Sequence, residues 1–331
     1  MVFSEMKMIL IMTTLLSGSV FGQNIETILR FQRDTGGWPK NQDYDAKIDR
    51  EKLLKDKVRI DSTFDNGATT SEMRILAKEF RENGGKKYLE AFQMGLKFCL
   101  DAQYENGGWP QYFPEAKGYR AHVTFNDNAM VKVMELLREV ASEDEFSFVE
   151  ESLRKRAGES VEKGVACILK CQIRVNGKPT VWCAQHDEET LKPAKARSYE
   201  LPSFSGNESV GLVRFLMSIK DPSEEVKASV EGAVQWFRDH QITGYRLEKK
   251  KGDFPKGYDR VVVKDANADP LWARFYDLEE GLPIYCSRDG APKRKLEEIS
   301  YERRNGYSWV GTFAARLLKT DYPKWKKPAR K

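Results

Sequence analysis

The sequence predicts an all-α fold: an (α/α) toroid built from repeated helix pairs, with long functional loops and minor short strands. Three observations carry this. An apolar-periodic segment ending in glutamine recurs four times, at Gln32, Gln103, Gln172 and Gln241, at separations of 71, 69 and 69 residues. Each copy is followed by a turn, an aromatic and a second apolar-periodic segment. The intervening loops are long, unlike one another and rich in Gly, Pro, Trp and charge, as expected where loops gather around one central site. Helix pairs repeated in this way stack as a solenoid or close into a ring. The loop composition favours the ring.

The first helices of the units lie in ILRFQRDTGGWPK from Ile28, LKFCLDAQYENGGWPQ from Leu96, VACILKCQIRVNGKPTVWC from Val165 and AVQWFRDHQITGYR from Ala233. The second helices are ATTSEMRILAKEF from Ala68, DNAMVKVMELLREV from Asp127, NESVGLVRFLMSI from Asn207 and NGYSWVGTFAARLL from Asn305. Three of these four open on Asn or Asp, which are favoured helix caps. The stretch from Lys249 to Glu302 is the least helical, and RVVVK at Arg260–Lys264 is expected to be a short strand.

The 331 residues suffice for one large domain. Lys7 precedes the apolar run MILIMTTLLSGSV, and small residues lead to Gly22. That is a signal-peptide pattern, too short to span a membrane. The expected organisation is therefore a leader at 1–22 and a single domain at 23–331, secreted or periplasmic and monomeric, with a basic C-terminal tail. The 55 basic and 50 acidic residues leave a net charge of +5 with no run of five like charges, so no nucleic-acid arm is indicated. The mild excess suits a polyanionic substrate, or reflects nothing beyond solubility. Five cysteines, an odd number, leave at least one unpaired and read best as small buried hydrophobes. No CxxC occurs, and His122, His186 and His240 are scattered, so no Cys/His metal site is expected.

Five loop motifs hold candidate chemistry. STFDNGATTSE carries Asp65 and Asn66, and HVTFNDNAM carries Asn126, Asp127 and Asn128, each just before a helix. The two loops occupy equivalent places in successive repeats. Their acidic residues suit helix caps, and they equally supply the hard oxygen ligands that calcium needs. KARSYELPSFSGNES carries Arg197, Tyr199, Glu200 and Ser203. DPLWARFYDLEEGLPIYCSRDG carries Trp272, Arg274, Arg288 and Asp289. Arginine suits planar recognition of carboxylates. Trp38 in GGWPK and Trp109 in GGWPQYF are core residues or sugar-stacking platforms. Acidic loops beside arginines point to an anionic substrate bridged by a cation.

In combination and order, TFDN, FNDNAM, ARSYELPS, WARFYD and SRDG resemble the family 10 pectate lyases, the pectic acid lyase family. The resemblance runs from GGWPK near Gly36 to the helix ending near Leu318. It implies an (α/α) toroid that cleaves polygalacturonate by calcium-assisted β-elimination, leaving 4,5-unsaturated products. It implies catalytic roles for Asp65, Asp127 and Arg197, with Arg197 as Brønsted base. Asp65, Asn66 and Asp127 would hold Ca2+. Arg274, Arg288, Lys163, Tyr199 and Asn66 would bind substrate. The chain departs from the family at Gly67, where an acidic residue is expected. Two alternatives remain open: a glycoside hydrolase using Asp65 and Asp127 as acid and base, and a non-catalytic uronate-binding protein. The expected partner is polygalacturonate or another acidic pectic polysaccharide, with no nucleic acid and no membrane.

Overall fold

The computed structural model describes residues 22–44 and 49–327. The expected leader lies outside the described residues apart from Gly22, as does the end of the basic tail from Pro328 onward. About 46% of the chain is helical, which places it in the helical class. The helices are α1 (Gly22–Phe31), α2 (Arg50–Lys57), α3 (Thr70–Asn83), α4 (Lys86–Asp101), α5 (Ala129–Ser142), α6 (Glu151–Cys171), α7 (Glu208–Met217), α8 (Glu224–Asp239), α9 (Tyr301–Gly306) and α10 (Tyr322–Trp325).

Six of them form two layers. α3, α5 and α7 are successive neighbours in one, and α4, α6 and α8 in the other. Each pairs across the layers, α3 with α4, α5 with α6 and α7 with α8. The burial patterns explain the division. α6 buries a single stripe, Ala157, Ser160, Gly164, Cys167, Ile168 and Cys171, at three- and four-residue spacing. α5 buries Met130, Val131, Val133, Met134, Leu136, Leu137 and Val140. Those residues cover more than one face, as a helix packed on several sides requires. Truncating one of its leucines to alanine costs about 2–5 kcal/mol.

The repeat seen in the sequence is built from two recurring links. Gln32, Gln103 and Gln172 each donate through the side-chain amide to a carbonyl of their own loop and to one on the next helix: Gly36 and Ala91, Gly107 and Ser160, Thr180 and Ser229, all at 2.7–3.0 Å. The indoles of Trp38, Trp109, Trp182 and Trp272 donate to the carbonyls of Ile28, Cys99, Ile168 and Phe237 at 2.7–2.9 Å. Each of those acceptors lies four residues before a repeat glutamine. Trp38 and Trp109 are fully buried, which settles both as core. Gly107, at φ 92°, brings its turn so close to α6 that a Cβ would stand 2.1 Å from the Lys163 carbonyl oxygen.

Short strands tie the loops to one another. Val123–Thr124 pairs antiparallel with Gln185–His186, and Phe204–Ser205 with Phe275–Tyr276. Trp272–Ala273 pairs with Val310–Gly311. The strand expected at Arg260–Lys264 is present and longer: Tyr258–Lys264 pairs with Tyr245–Lys251 in a hairpin of two seven-residue strands. The helix expected from Asn305 is not formed there. α9 ends at Gly306, the chain runs extended through Val310–Gly311, and a π-helical segment at Leu317–Asp321 then leads into α10. Trp309 is the reason. Its carbonyl accepts from the Arg274 N–H at 2.6 Å, and its indole donates to Arg303 at 3.0 Å. This tertiary pairing overrides the helical period, helped by Gly306 and Gly311. All five cysteines are free and buried.

Candidate functional site

The loops before α3 and α5 run side by side and share an unusual backbone. Asn66 (φ 55°) and Gly67 (φ 80°) are left-handed in the first, and Asp127 (φ 51°) and Asn128 (φ 59°) in the second. The register therefore matches Asp65 with Asn126, and Asn66 with Asp127. The loops are equivalent, as expected, but the two carboxylates are offset by one residue. Asp65 is buried, 3% exposed, whereas the Asp127 side chain is 39% exposed. Neither acts as a helix cap. The capping positions of α3 and α5 are Thr69 and Asn128, and neither makes a side-chain cap bond. Left-handed backbone in non-glycine residues is costly and clusters at functional sites.

Asp65 Oδ2 pairs with Lys40, while its buried Oδ1 has no hydrogen-bond partner. The Asn66 amide donates to Asn41 Oδ1 at 3.1 Å, which leaves its carbonyl oxygen for another role. Asp127 Oδ2 accepts from the Asn126 amide at 2.8 Å. Two carboxylates and an amide oxygen in adjoining loops, one oxygen buried and unpartnered, fit a hard cation such as calcium. Among the described residues a second group has metal-ligand character. His122, Asp187 and Glu188 place ligand atoms within 4.8 Å of one another. In the sequence the histidines stand far apart. The strand pair Val123–Thr124 with Gln185–His186 is what carries His122 to Asp187.

Arg274 sits behind Asp127. It is 5% exposed, and its Nη2 donates to Glu208 and, at 3.1 Å, to Asn126 Oδ1, with Asp127 Oδ1 at 3.6 Å. Its guanidinium lies 4.4 Å over the ring of Tyr307. Burial alone would lower its pKa, but Glu208, Tyr307, Asp127 and Glu200 outweigh burial and hold it above the ordinary range. Glu208 also accepts from the hydroxyl of Ser205.

Arg197 donates through Nε to Glu200 Oε2 at 2.8 Å and stands 5.4 Å over Tyr199. Burial opposes its charge, and the bond to Glu200 more than restores it, so its pKa is also raised. Tyr199 is 4% exposed and packs edge-on against Tyr307, with Arg303 4.6 Å and Arg288 6.0 Å from its ring. Arg288 is exposed and forms a two-point pair with Glu302, at 3.2 and 2.9 Å. Lys163 stands apart. It lines a groove of about 210 Å³ with Leu100, Gln103, Tyr104 and Arg156, outside this cluster.

The structure thus brings Asp127, Arg274, Arg197, Tyr199 and Arg288 into one connected set, with Asp65 and Asn66 in the adjoining loop. Sequence reasoning missed Glu208, Tyr307, Arg303 and Lys40. Glu208 carries one signal, the lone acid in the first turn of a largely apolar helix. Tyr307 carried none, because its segment reads as helix.

A sequence model described as pectic acid lyase matches residues 32–318. The chain is similar to a family 10 polysaccharide lyase from Cellvibrio cellulosa. An aspartate-to-alanine mutant of that enzyme, solved in complex with trigalacturonic acid, is 34% identical, with 92% of each chain covered and a TM-score of 0.82. A second structure of the lyase from that organism is 33% identical, with 91% of each chain covered and a TM-score of 0.79. No curated protein matches the chain.

Proposed function

The chain belongs to the pectic acid lyase family and is a polysaccharide lyase, and on that premise we propose that it cleaves polygalacturonate by calcium-assisted β-elimination on an (α/α) toroid. Membership sets aside the hydrolase and the non-catalytic binding protein. The two helix layers, paired in sequence order, support the ring. The trigalacturonic acid held by the similar lyase supports an acidic pectic substrate. No helix among the described residues is long and apolar enough to cross a membrane. We take residues 1–22 as a leader and the product of export as the working, monomeric enzyme.

The observation that carries the reading is the meeting of an oxygen-rich double loop, Asp65, Asn66 and Asp127, with the buried Arg274. Asp65, Asn66 and Asp127 would hold calcium, which when bound withdraws charge from the C6 carboxylate of a galacturonate and acidifies its C5 proton. Arg274 and Arg288 bind carboxylates and offset the charge that develops as the proton leaves. Arg197 takes that proton on a terminal guanidine nitrogen. The C5–H electrons form the C4–C5 double bond, the C4–O bond breaks, and water protonates the departing oxygen.

Arg197 must be neutral to accept a proton, and guanidinium is charged at neutral pH. Its pairing with Glu200 strengthens that charge, so the reaction should run fastest at alkaline pH. The test follows the ultraviolet absorbance of the unsaturated product with calcium and then with a chelator, in the wild type and Arg197→Ala. A calcium-dependent rise lost in the variant supports the reading. A pH optimum on the acidic side would remove Arg197 as base in favour of a carboxylate.

A further inference from the structure

Arg197 is gripped at two points by a single carboxylate. Glu200 Oε2 accepts from the Arg197 backbone N–H at 3.1 Å and from its Nε at 2.8 Å. In return, the Glu200 N–H donates to the Arg197 carbonyl at 2.9 Å. Glu200 Oε1 accepts from the Tyr307 hydroxyl at 2.6 Å, so the carboxylate is itself braced. Exposure is divided sharply across the pair: the Glu200 side chain is 7% exposed and that of Arg197 41%. Neither terminal nitrogen of Arg197 has a hydrogen-bond partner among the described residues.

We propose that Glu200 is the positioning residue of the elimination: by holding Arg197 at Nε it leaves the two terminal nitrogens free on the exposed side and so selects the atoms that take the C5 proton. The inference rests on the reading of Arg197 as base. It adds an aligning role for Glu200, which that reading used only as a charge partner. The arrangement parallels the way other catalytic bases are oriented by a third group bonded to their far side.

The same contact has an electrostatic side. The groups facing Arg197 are Glu200, Tyr199 and Tyr307. Arg303 and Arg288 lie over Tyr199, and Arg274 lies over Tyr307. Burial disfavours the charged guanidinium, and Glu200 is the group that most favours it. Glu200 therefore aligns the base while retaining its proton. Alignment and proton retention are separable by substitution. Glutamine keeps the shape, an oxygen for Nε and an amide that can donate to Tyr307, and removes only the charge. Alanine removes both.

The experiment records kcat and KM against pH for wild type, Glu200→Gln, Glu200→Ala and Arg197→Ala on polygalacturonate with calcium. For Glu200→Gln the rising alkaline limb of kcat should move to lower pH by about one unit, since loss of an adjacent opposite charge lowers the base's pKa by roughly 1–3 units. For Glu200→Ala the limb should move likewise, and kcat on the alkaline plateau should fall by on the order of a hundredfold, the cost of a misaimed base, with KM nearly unchanged. A merely structural role would lower activity without moving the limb. Glutamine and wild-type limbs that superimpose, or an alanine variant that keeps its kcat, would overturn the proposal while leaving Arg197 as base if Arg197→Ala is inactive. Activity retained by Arg197→Ala would overturn both.

Discussion

Glu208 and Arg274 form an ion pair from which water is nearly excluded, the two side chains being 1% and 7% exposed. The pair joins the first turn of α7 to the loop after α8, and its arginine reaches the Asn126–Asp127 loop. Breaking a buried pair strands a charge and costs about 3–5 kcal/mol. Glu208→Ala should therefore lower the urea midpoint by a cost of about that size. Glu208→Gln should lose less, because a carbonyl still accepts from Arg274. A Glu208→Ala protein as stable as wild type would show that other groups, Asn126 first among them, suffice to neutralise Arg274.

His186 makes the fold sensitive to acid. It is fully buried; its Nδ1–H donates to the Leu191 carbonyl at 2.8 Å, and its Nε2 accepts from the Cys183 N–H at 3.1 Å. Protonating Nε2 destroys the second bond. Burial, aided by His122, lowers the pKa to about 4. The folded value lies below the unfolded one of about 6.5, so the unfolded chain binds the proton more readily. Stability is whole above about pH 6.5, falls as pH drops towards 4 and levels off below that, losing on the order of 3 kcal/mol. Melting temperatures of wild type and His186→Gln across that window should converge as pH falls. Parallel curves would show that His186 is not the group that titrates.

Cation binding can be separated from catalysis. Asp127 is partly exposed and has a single described hydrogen-bond partner, so Asp127→Asn should leave stability in chelator within about 0.5 kcal/mol of wild type. Calcium at about a hundred times its dissociation constant stabilises a binding protein by about 2.7 kcal/mol. The wild-type melting temperature should rise with calcium, and that rise should vanish in Asp127→Asn and in Asp65→Asn. A rise that persists in both variants but disappears in His122→Ala would relocate the cation to His122, Asp187 and Glu188.

The glutamine period is legible because three of the four glutamines, Gln32, Gln103 and Gln172, do the same structural job, bridging a loop to the next helix. The tryptophans were ambiguous in the sequence because a core indole and a sugar platform look alike there. Two features could not be read. The one-residue offset between Asp65 and Asp127 depends on left-handed backbone at Asn66 and Asp127, and asparagine and aspartate tolerate that conformation without announcing it. The late start of the last helix depends on Trp309 pairing with a segment some 35 residues earlier, and no local period records that contact. The arginines were found by residue type, but their carboxylate partners Glu208 and Glu302 were not, because partnership is a property of packing.

Arg288 differs from Arg197 and Arg274 in that its two-point partner, Glu302, is exposed. Glu302 is held to a pKa of about 2 by Arg303 first and Arg288 second, so it stays charged throughout the working range. A substrate carboxylate that takes Arg288 by the same two-point grip, through Nε and Nη2, displaces Glu302. Exposed pairs contribute little to folding, so Arg288→Ala should fold as wild type while KM for polygalacturonate rises about tenfold and kcat falls as well, because Arg288 also offsets the charge that develops as the proton leaves. Glu302→Gln tests the exchange directly. It removes the competing charge but leaves Arg288 in place, so KM should fall below the wild-type value. A rise instead would mean that Glu302 orients Arg288 for the substrate, and that its grip on Arg288 is part of the binding site.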